Sequence, residues 1–161
     1  MEGKSAYQEA VDYLLKVEPL HPLEWNECLA ETALDHSRDL AKNNIFGHNS
    51  SDGTRFSDRI KKKTGGPIYG HLSENCDRFK SFHGPDFAKS SIIRYIIDEA
   101  VPDRGHRKNI FNNNSKFMGG AMVKNPFEEG SFKSTLDFCS IDVQIKGEGG
   151  EKNFKQPETT H

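Results

Sequence analysis

The feature that most constrains the fold is a change of hydrophobic period late in the chain. Before residue 111, apolar residues recur every three or four positions, as Leu29, Ala33 and Leu40 do, which is typical of amphipathic helices. Beyond Phe117 the apolar residues alternate with polar ones, as expected for half-buried strands. A run of helices followed by strands predicts an α+β domain in layers.

The pattern predicts helices and strands at defined places along the chain. The predicted helices span residues 5–15, 27–43 and 54–63, a stretch opened by Pro85, and residues 104–111. The predicted strands span residues 117–124 and 132–145. Because a sheet of two strands is marginal, a third is expected from residues 68–74. Gly119 and Gly120 lie inside a predicted strand and indicate a bulge or a close backbone approach.

Length and composition define the class of protein. The 161 residues suit one domain, which we place at residues 5–145, and the Gly-, Glu- and Lys-rich residues 146–161 are predicted to be a disordered tail. A net charge of -2 gives no reason to expect a nucleic acid partner. No apolar stretch reaches the ~20 residues of a membrane span. The first residues lack the apolar core of a signal peptide.

The cysteines do not form a recognisable framework. Cys28, Cys76 and Cys139 are odd in number and widely spaced, unlike a disulfide scaffold or a CxxC metal site. We predict that they are buried free thiols. One pair would still be able to close if the protein is secreted.

Several polar segments carry residues suited to chemistry rather than to packing. Phe46-Gly47-His48, Ser73-Glu74-Asn75 and Gly105-His106-Arg107-Lys108-Asn109-Ile110 follow one another in this order. Together with an earlier motif, Leu23-Glu24-Trp25-Asn26 followed by Ala30, Ala33 and His36-Ser37, they resemble the CAP superfamily, also called SCP domains. The resemblance extends from about Tyr7 to Val143, because Met118-Gly119-Gly120 and Asp137-Phe138 are similar to the closing strands of the family.

The resemblance implies an α-β-α sandwich whose small antiparallel sheet is flanked by helices. It also implies a central cleft with two histidines and two acidic residues. Carried over by position, these are His48, Glu74 and His106, and either Asp98 or Glu99 supplies the fourth. Tyr95 stands where the family has a tryptophan on the fourth helix. Members of the family are mostly secreted, which implies an extracellular location.

The chemistry of these side chains can also be argued directly. Two neutral imidazoles, His48 and His106, with a carboxylate are a competent donor set for Zn²⁺ or another divalent ion. Glu74 is then a further ligand or a group that orients a bound water. The other histidines are expected to be structural or on the surface; they are His21, His36, His71, His83 and His161. Arg107 is expected to pair with an acidic neighbour.

Two functions of different class follow from this site. The first is a binding or interaction module that holds a metal or a small molecule, lipid or sterol in the cleft, or contacts a protein partner. The alternative is a metal-assisted hydrolase that acts on a peptide or ester. We favour binding, because no catalytic residues are identifiable: Ser73 lacks the G-x-S-x-G elbow and no H-E-x-x-H motif is present. The oligomeric state is left open.

Overall fold

A computed structural model describes residues 2–80 and 86–147. Together these residues form five helices and four strands, an α+β fold as predicted. The helices are α1 (Lys4–Leu14), α2 (Glu27–Lys42), α3 (Phe56–Thr64), α4 (Phe87–Ile97) and α5 (Gly105–Ile110). The strands are β1 (Glu24–Trp25), β2 (Leu72–Lys80), β3 (Phe117–Lys124) and β4 (Ser131–Cys139). The predicted tail lies outside the described residues apart from residues 146 and 147, and Pro85 lies outside them too.

The sheet has the order β1-β3-β4-β2. Both β2 and β3 pair with β4 in antiparallel fashion, whereas the two-residue β1 pairs with β3 in parallel. The sheet is therefore mixed: its three long strands are antiparallel, as expected, and the two-residue β1 adds a parallel edge. The predicted third strand exists, but it starts at Leu72 and continues to Lys80, six residues beyond the predicted end, because all nine of its residues find partners on β4.

The last strand is shorter than the alternating pattern predicts. It ends at Cys139, which pairs with the first residue of β2 and the first residue of β3, so β4 has no partner beyond that point. Ile141, Val143 and Ile145 leave the sheet and still pack on a core cluster around Leu29. Alternation there reflects burial of an irregular segment, not a strand.

Helices cover both faces of the sheet. On one face α2 lies against β3 and β4, with α3 beside it; on the other face α4 and α5 lie against β2, with α1 behind α4. Because neighbouring side chains of a strand point to opposite faces, Phe138 packs with Tyr95 in one cluster and Cys139 packs with Leu29 in the other. This is the α-β-α sandwich that the motifs implied.

The contact between α2 and the sheet requires a glycine. A Cβ atom at Gly119 would lie 2.1 Å from the backbone nitrogen of Ala30, so only glycine lets α2 come this close to β3. Asn26 begins α2, and its side chain accepts a hydrogen bond from Leu29 N at 2.9 Å. The close backbone approach that the sequence predicted for Gly119 and Gly120 is confirmed at Gly119.

Two further predictions can be compared with the described residues. Cys28, Cys76 and Cys139 are all free and buried, as predicted. Among the residues that the structure describes, no helix has the length and apolar character needed to cross a lipid bilayer.

The Gly119→Ala substitution is expected to destabilise the protein by about 1–3 kcal/mol or more, because α2 must shift to admit the methyl group. Gly66→Ala is the matched control, since a Cβ there meets no atom within 4 Å. It is expected to stay within about 0.5 kcal/mol of the parent protein. Urea denaturation of the three proteins measures both values. Equal stability of the Gly119→Ala variant and the parent would contradict the close packing.

Candidate functional site

The first predicted histidine is held by a buried carboxylate. His48 lies in the loop after α2, and its Nδ1 is 2.9 Å from Oε1 of Glu74 on β2. Arg59 of α3 donates to the other carboxylate oxygen of Glu74, and also to the backbone oxygen of His48 at 2.7 Å. Glu74 therefore orients the imidazole ring of His48 through Nδ1. The His48 side chain remains 57% exposed.

The charges in this pair support one another. The hydrogen bond to Glu74 raises the pKa of His48 above its ordinary value, although burial opposes the change. For Glu74, burial raises the pKa, but the hydrogen bond from His48 and the Arg59 charge outweigh it, so its pKa is lowered. Glu74 is therefore ionised at neutral pH and can only accept, so Nδ1 of His48 carries the proton.

The second predicted histidine is held in the same way by Asp98. The residue ends α4 in a left-handed conformation, with a φ of 55°. Its Oδ1 lies 2.7 Å from Nδ1 of His106, and its Oδ2 accepts from the backbone nitrogens of His106 at 2.9 Å and Arg107 at 3.2 Å. The carboxylate thus fixes both the ring of His106 and the first turn of α5.

The structure distinguishes between the two acidic candidates beside α5. Glu99 points away from His106, and its Oε1 accepts from the backbone nitrogen of Gly3 at 2.8 Å. Arg104 stabilises the loop between Asp98 and His106. It donates to the backbone oxygen of Asp98 at 2.9 Å and forms ion pairs with Glu2 and Glu9 of the N-terminal segment. Asp98 is therefore the acidic residue that the fold brings to His106.

The two imidazole–carboxylate pairs lie on either side of β2, the edge strand. Glu74 and Asn75 are neighbours on this strand, so their side chains point to opposite faces. The Asn75 amide donates to the backbone oxygen of His106 at 3.0 Å, and Asn109 donates to Asn75 Oδ1 at 2.8 Å. β2 therefore orients His48 through the side chain of Glu74 and anchors α5 through the side chain of Asn75.

A further group of metal-ligating side chains lies beneath His48. Ligand atoms of His36, Glu74 and Cys76 all lie within 4.8 Å of one another, and all three residues are buried. In the part of the chain that the structure describes, His48 and His106 do not join Glu74 in such a group. Their assignment as metal ligands stays a prediction.

Sequence reasoning missed His36 as a member of this group. It was placed among the structural or surface histidines, but it is 1% exposed, with Nε2 2.9 Å from the backbone oxygen of Gly47. The signal was its spacing, because His36 follows Ala33 by three residues and precedes Leu40 by four, which puts it on the inner face of α2.

The remaining polar predictions are structural. Asn112 lies 3.0 Å from Nε2 of His71, which takes no part in either pair. The buried Arg107 pairs with Glu9 at 2.9 Å, as expected for an arginine with an acidic neighbour. Its guanidinium also donates to the backbone oxygen of Ile97 at 3.0 Å, so it helps to close the end of α4.

A cavity of about 330 Å³ lies beyond the end of α5, away from both imidazole–carboxylate pairs. None of the five predicted site residues lines it. Its walls are mainly apolar and comprise Val17, Glu18, Pro19, Leu20, His21, Leu23, Ile110, Phe111, Asn112, Asn113 and Ser115.

Comparison with known proteins places the chain in a family. The profile of the cysteine-rich secretory protein family, CAP, matches residues 16–138. The chain belongs to the CAP family. A search of curated proteins found no match.

Two solved structures share this CAP fold. The chain is similar to an extracellular protein with an SCP domain from Bacillus anthracis str. Ames, with 23% identity and a TM-score of 0.57 over 74% of this chain. That match spans only 34% of the Bacillus protein. An outer surface protein from Borrelia burgdorferi gives 16% identity and a TM-score of 0.60, with 89% of this chain and 97% of that protein covered.

Replacing Glu74 by Gln is expected to lower the pKa of His48, because the charged acceptor that favours the imidazolium is lost. In the parent protein this pKa should lie above the ordinary 6.5. NMR titration of the His48 ring protons measures both values. Asp77→Asn is the control, since Asp77 lies on the same strand but pairs with Arg94. The same His48 pKa in the Glu74→Gln variant and the parent would contradict the pairing.

Proposed function

We propose that this CAP domain is a binding module whose working groups are the Nε2 atoms of His48 and His106. The observation that carries the proposal is that each ring is held through Nδ1 by a carboxylate, from Glu74 and from Asp98. This hydrogen bond fixes the tautomer and leaves an unprotonated Nε2 on the neutral ring. Both Nε2 atoms are therefore ready to bind a cation or to accept a hydrogen bond.

A divalent metal ion such as Zn²⁺ suits these residues. Metal-binding histidines usually donate their other ring N–H to a carboxylate, which raises the basicity of the ligand nitrogen. His48 and His106 both have this arrangement, so they would hold the ion. Glu74 accepts the hydrogen bond from His48 Nδ1, which gives it an orienting role at this site. The ion would act as a Lewis acid toward a bound ligand.

Hydrolysis through a covalent intermediate is disfavoured by the state of the nearby nucleophile candidates. The hydroxyl of Ser73 is buried and has no hydrogen-bond partner among the described residues, so it neither faces solvent nor has a base. Burial raises the pKa of the Cys76 thiol well above its ordinary value, so the reactive thiolate is scarce. Neither residue meets the requirements of a covalent catalyst.

A small apolar ligand would use a different part of the domain. The cavity beyond α5 has a volume of about 330 Å³, and Leu20, Leu23 and Phe111 are among its walls. This volume is at the lower end of the range of about 300–1,000 Å³ found for ligand pockets. A lipid or sterol is therefore proposed to bind there rather than between the histidines.

We further propose that the domain works outside the cytoplasm. The similar Bacillus protein is described as extracellular, and the similar Borrelia protein as an outer surface protein. Family membership supports the same location. A protein partner at the cell surface would then be available to the exposed His48.

The double substitution His48→Ala/His106→Ala is expected to abolish Zn²⁺ binding at this site and to leave the fold intact. The control His21→Ala/His71→Ala removes two histidines that belong to neither imidazole–carboxylate pair. Calorimetry at pH 7.5 measures the affinity of each protein. The parent affinity should fall as the pH is lowered through the His48 pKa, because ligation needs the neutral ring. Unchanged Zn²⁺ binding in the His48/His106 variant would refute the metal proposal.

A second pair of variants tests the role of the acidic residue. Asp98→Asn removes the carboxylate that orients His106, and a loss of this kind typically weakens metal binding about 10–100-fold. Glu99→Gln changes the adjacent residue, which contacts Gly3 instead, and should leave the affinity unchanged. The same titrations give both numbers. Equal effects of the two substitutions would argue against a specific Asp98–His106 pair.

A further inference from the structure

A carboxyl group with no partner lies at the centre of the sheet beneath α2. Asp137 of β4 is 0% exposed, and no donor in the described part of the protein reaches either of its oxygens, although its carboxyl group lies against that of Glu74. In the sheet it lies between Glu74 of β2 and Gly119 of β3, the residue on which α2 packs. Unpaired buried polar groups are costly, so this one requires an explanation.

The nearby His36 has a free nitrogen in the same layer. Its Nε2 lies 2.9 Å from the backbone oxygen of Gly47, and since a carbonyl only accepts, Nε2 must carry the proton. Burial lowers the pKa of His36, which keeps the ring neutral. Its Nδ1 is then a bare lone pair, and this atom also has no partner among the described residues.

Cys76 brings a thiol to the same face of the sheet. It follows Glu74 by two residues on β2, so both side chains point toward α2. Its sheet partner is Thr135, which lies two residues from Asp137 and faces α2 as well, because Ser37 of α2 donates to the Thr135 hydroxyl at 2.9 Å. Imidazole, thiol and two carboxyl groups therefore lie in one buried layer.

From this arrangement we propose that His36, Glu74 and Cys76, completed by Asp137, form a second and buried binding site for Zn²⁺. The ligand atoms of the first three lie within 4.8 Å of one another, close enough to surround one ion after small adjustments. Asp137 is not a member of this group and would have to move toward the ion from its place opposite Glu74 in the sheet. A nitrogen, a sulfur and carboxylate oxygens in a four-ligand set are the donors that Zn²⁺ accepts in structural sites. Glu74 can take part while bound to His48 and Arg59, because a carboxylate offers about four acceptor positions.

The exchange of the ion for protons preserves the charge of the interior. A buried thiolate or carboxylate without a cation beside it is costly, and Asp137 and Cys76 are 0% and 2% exposed, so both groups hold a proton that an entering cation can displace. When Zn²⁺ binds, the thiol of Cys76 and the carboxyl of Asp137 each release one proton to solvent, and a Zn–S and a Zn–O bond form. Two positive charges leave as one doubly charged ion enters. The Arg59–Glu74 ion pair is retained, and no uncompensated charge is buried.

The site shares Glu74 with the proposed exposed site, where Glu74 orients His48, but the other ligands of the two sites differ. His48 and His106 contribute no ligand here, and His36, Cys76 and Asp137 contribute none there. Loss of one site should leave the other in place. The alternative occupant of the layer is a buried water that bonds to His36 and Asp137, which is an outcome that the test below would reveal.

Cobalt(II) is the probe, because a thiolate ligand gives its complexes an intense charge-transfer absorption in the near ultraviolet. Under reducing, anaerobic conditions we expect this absorption in the parent protein and in the His48→Ala/His106→Ala variant. It should be lost in Cys76→Ser. Cys28→Ser is the matched control and should keep it, because Cys28 packs in the core cluster with Leu29. No absorption in the parent protein, or persistence in Cys76→Ser, would overturn the proposal and favour the water.

Metal content and one further variant make the test independent of the folding of Cys76→Ser. After Zn²⁺ loading and removal of excess ion, the His48→Ala/His106→Ala variant should retain one Zn²⁺ per chain, which elemental analysis measures. Asp137→Asn should keep the cobalt absorption but bind the ion more weakly, because the amide cannot supply a charged oxygen ligand. Retention of no Zn²⁺ by the His48/His106 variant would overturn the buried site, whereas loss of only the exposed site would leave it standing.

Discussion

The pairing of β2 with β4 is the constraint on which the rest of the structure depends. Nine residues of β2 pair in register with β4, which places Glu74 opposite Asp137 and Asn75 opposite Leu136. A slip of one residue would exchange the faces of all these side chains. Glu74 would then leave Arg59 and His48, and Asn75 would no longer reach α5. One register therefore sets the His48–Glu74 pair, the anchorage of α5 through Asn75 and the buried layer.

The three carboxyl groups near the site differ in the number of donors they receive. Glu74 accepts from Arg59 and His48, and Asp98 accepts from His106 and two backbone nitrogens. These donors replace the lost water, so the two groups can orient imidazoles. Asp137 receives none among the described residues and has a raised pKa. The neutral Asp137 carboxyl group can therefore hold its proton until a cation displaces it.

The sequence predicted the parts of the fold and site that depend on local signals. The bounds of β3 and the Asn26 cap are confirmed, and motifs indicated His48, Glu74 and His106. The end of β4 was wrong because it depends on where its partner strands begin. The choice between Asp98 and Glu99 rests on a left-handed residue at the end of α4, and the importance of His36 rests on a nitrogen without a partner. Neither property is visible without tertiary structure.

The central claim is that both site imidazoles are held with the proton on Nδ1 and a free lone pair on Nε2. Nitrogen-15 NMR of the histidine rings, at a pH above the His48 pKa and without metal, measures this tautomer directly. We expect His48 and His106 both to show a protonated Nδ1 and an unprotonated Nε2, unlike the buried His36, which carries its proton on Nε2. A protonated Nε2 on neutral His48 or His106 would contradict the account, because that nitrogen would then be unable to bind a cation.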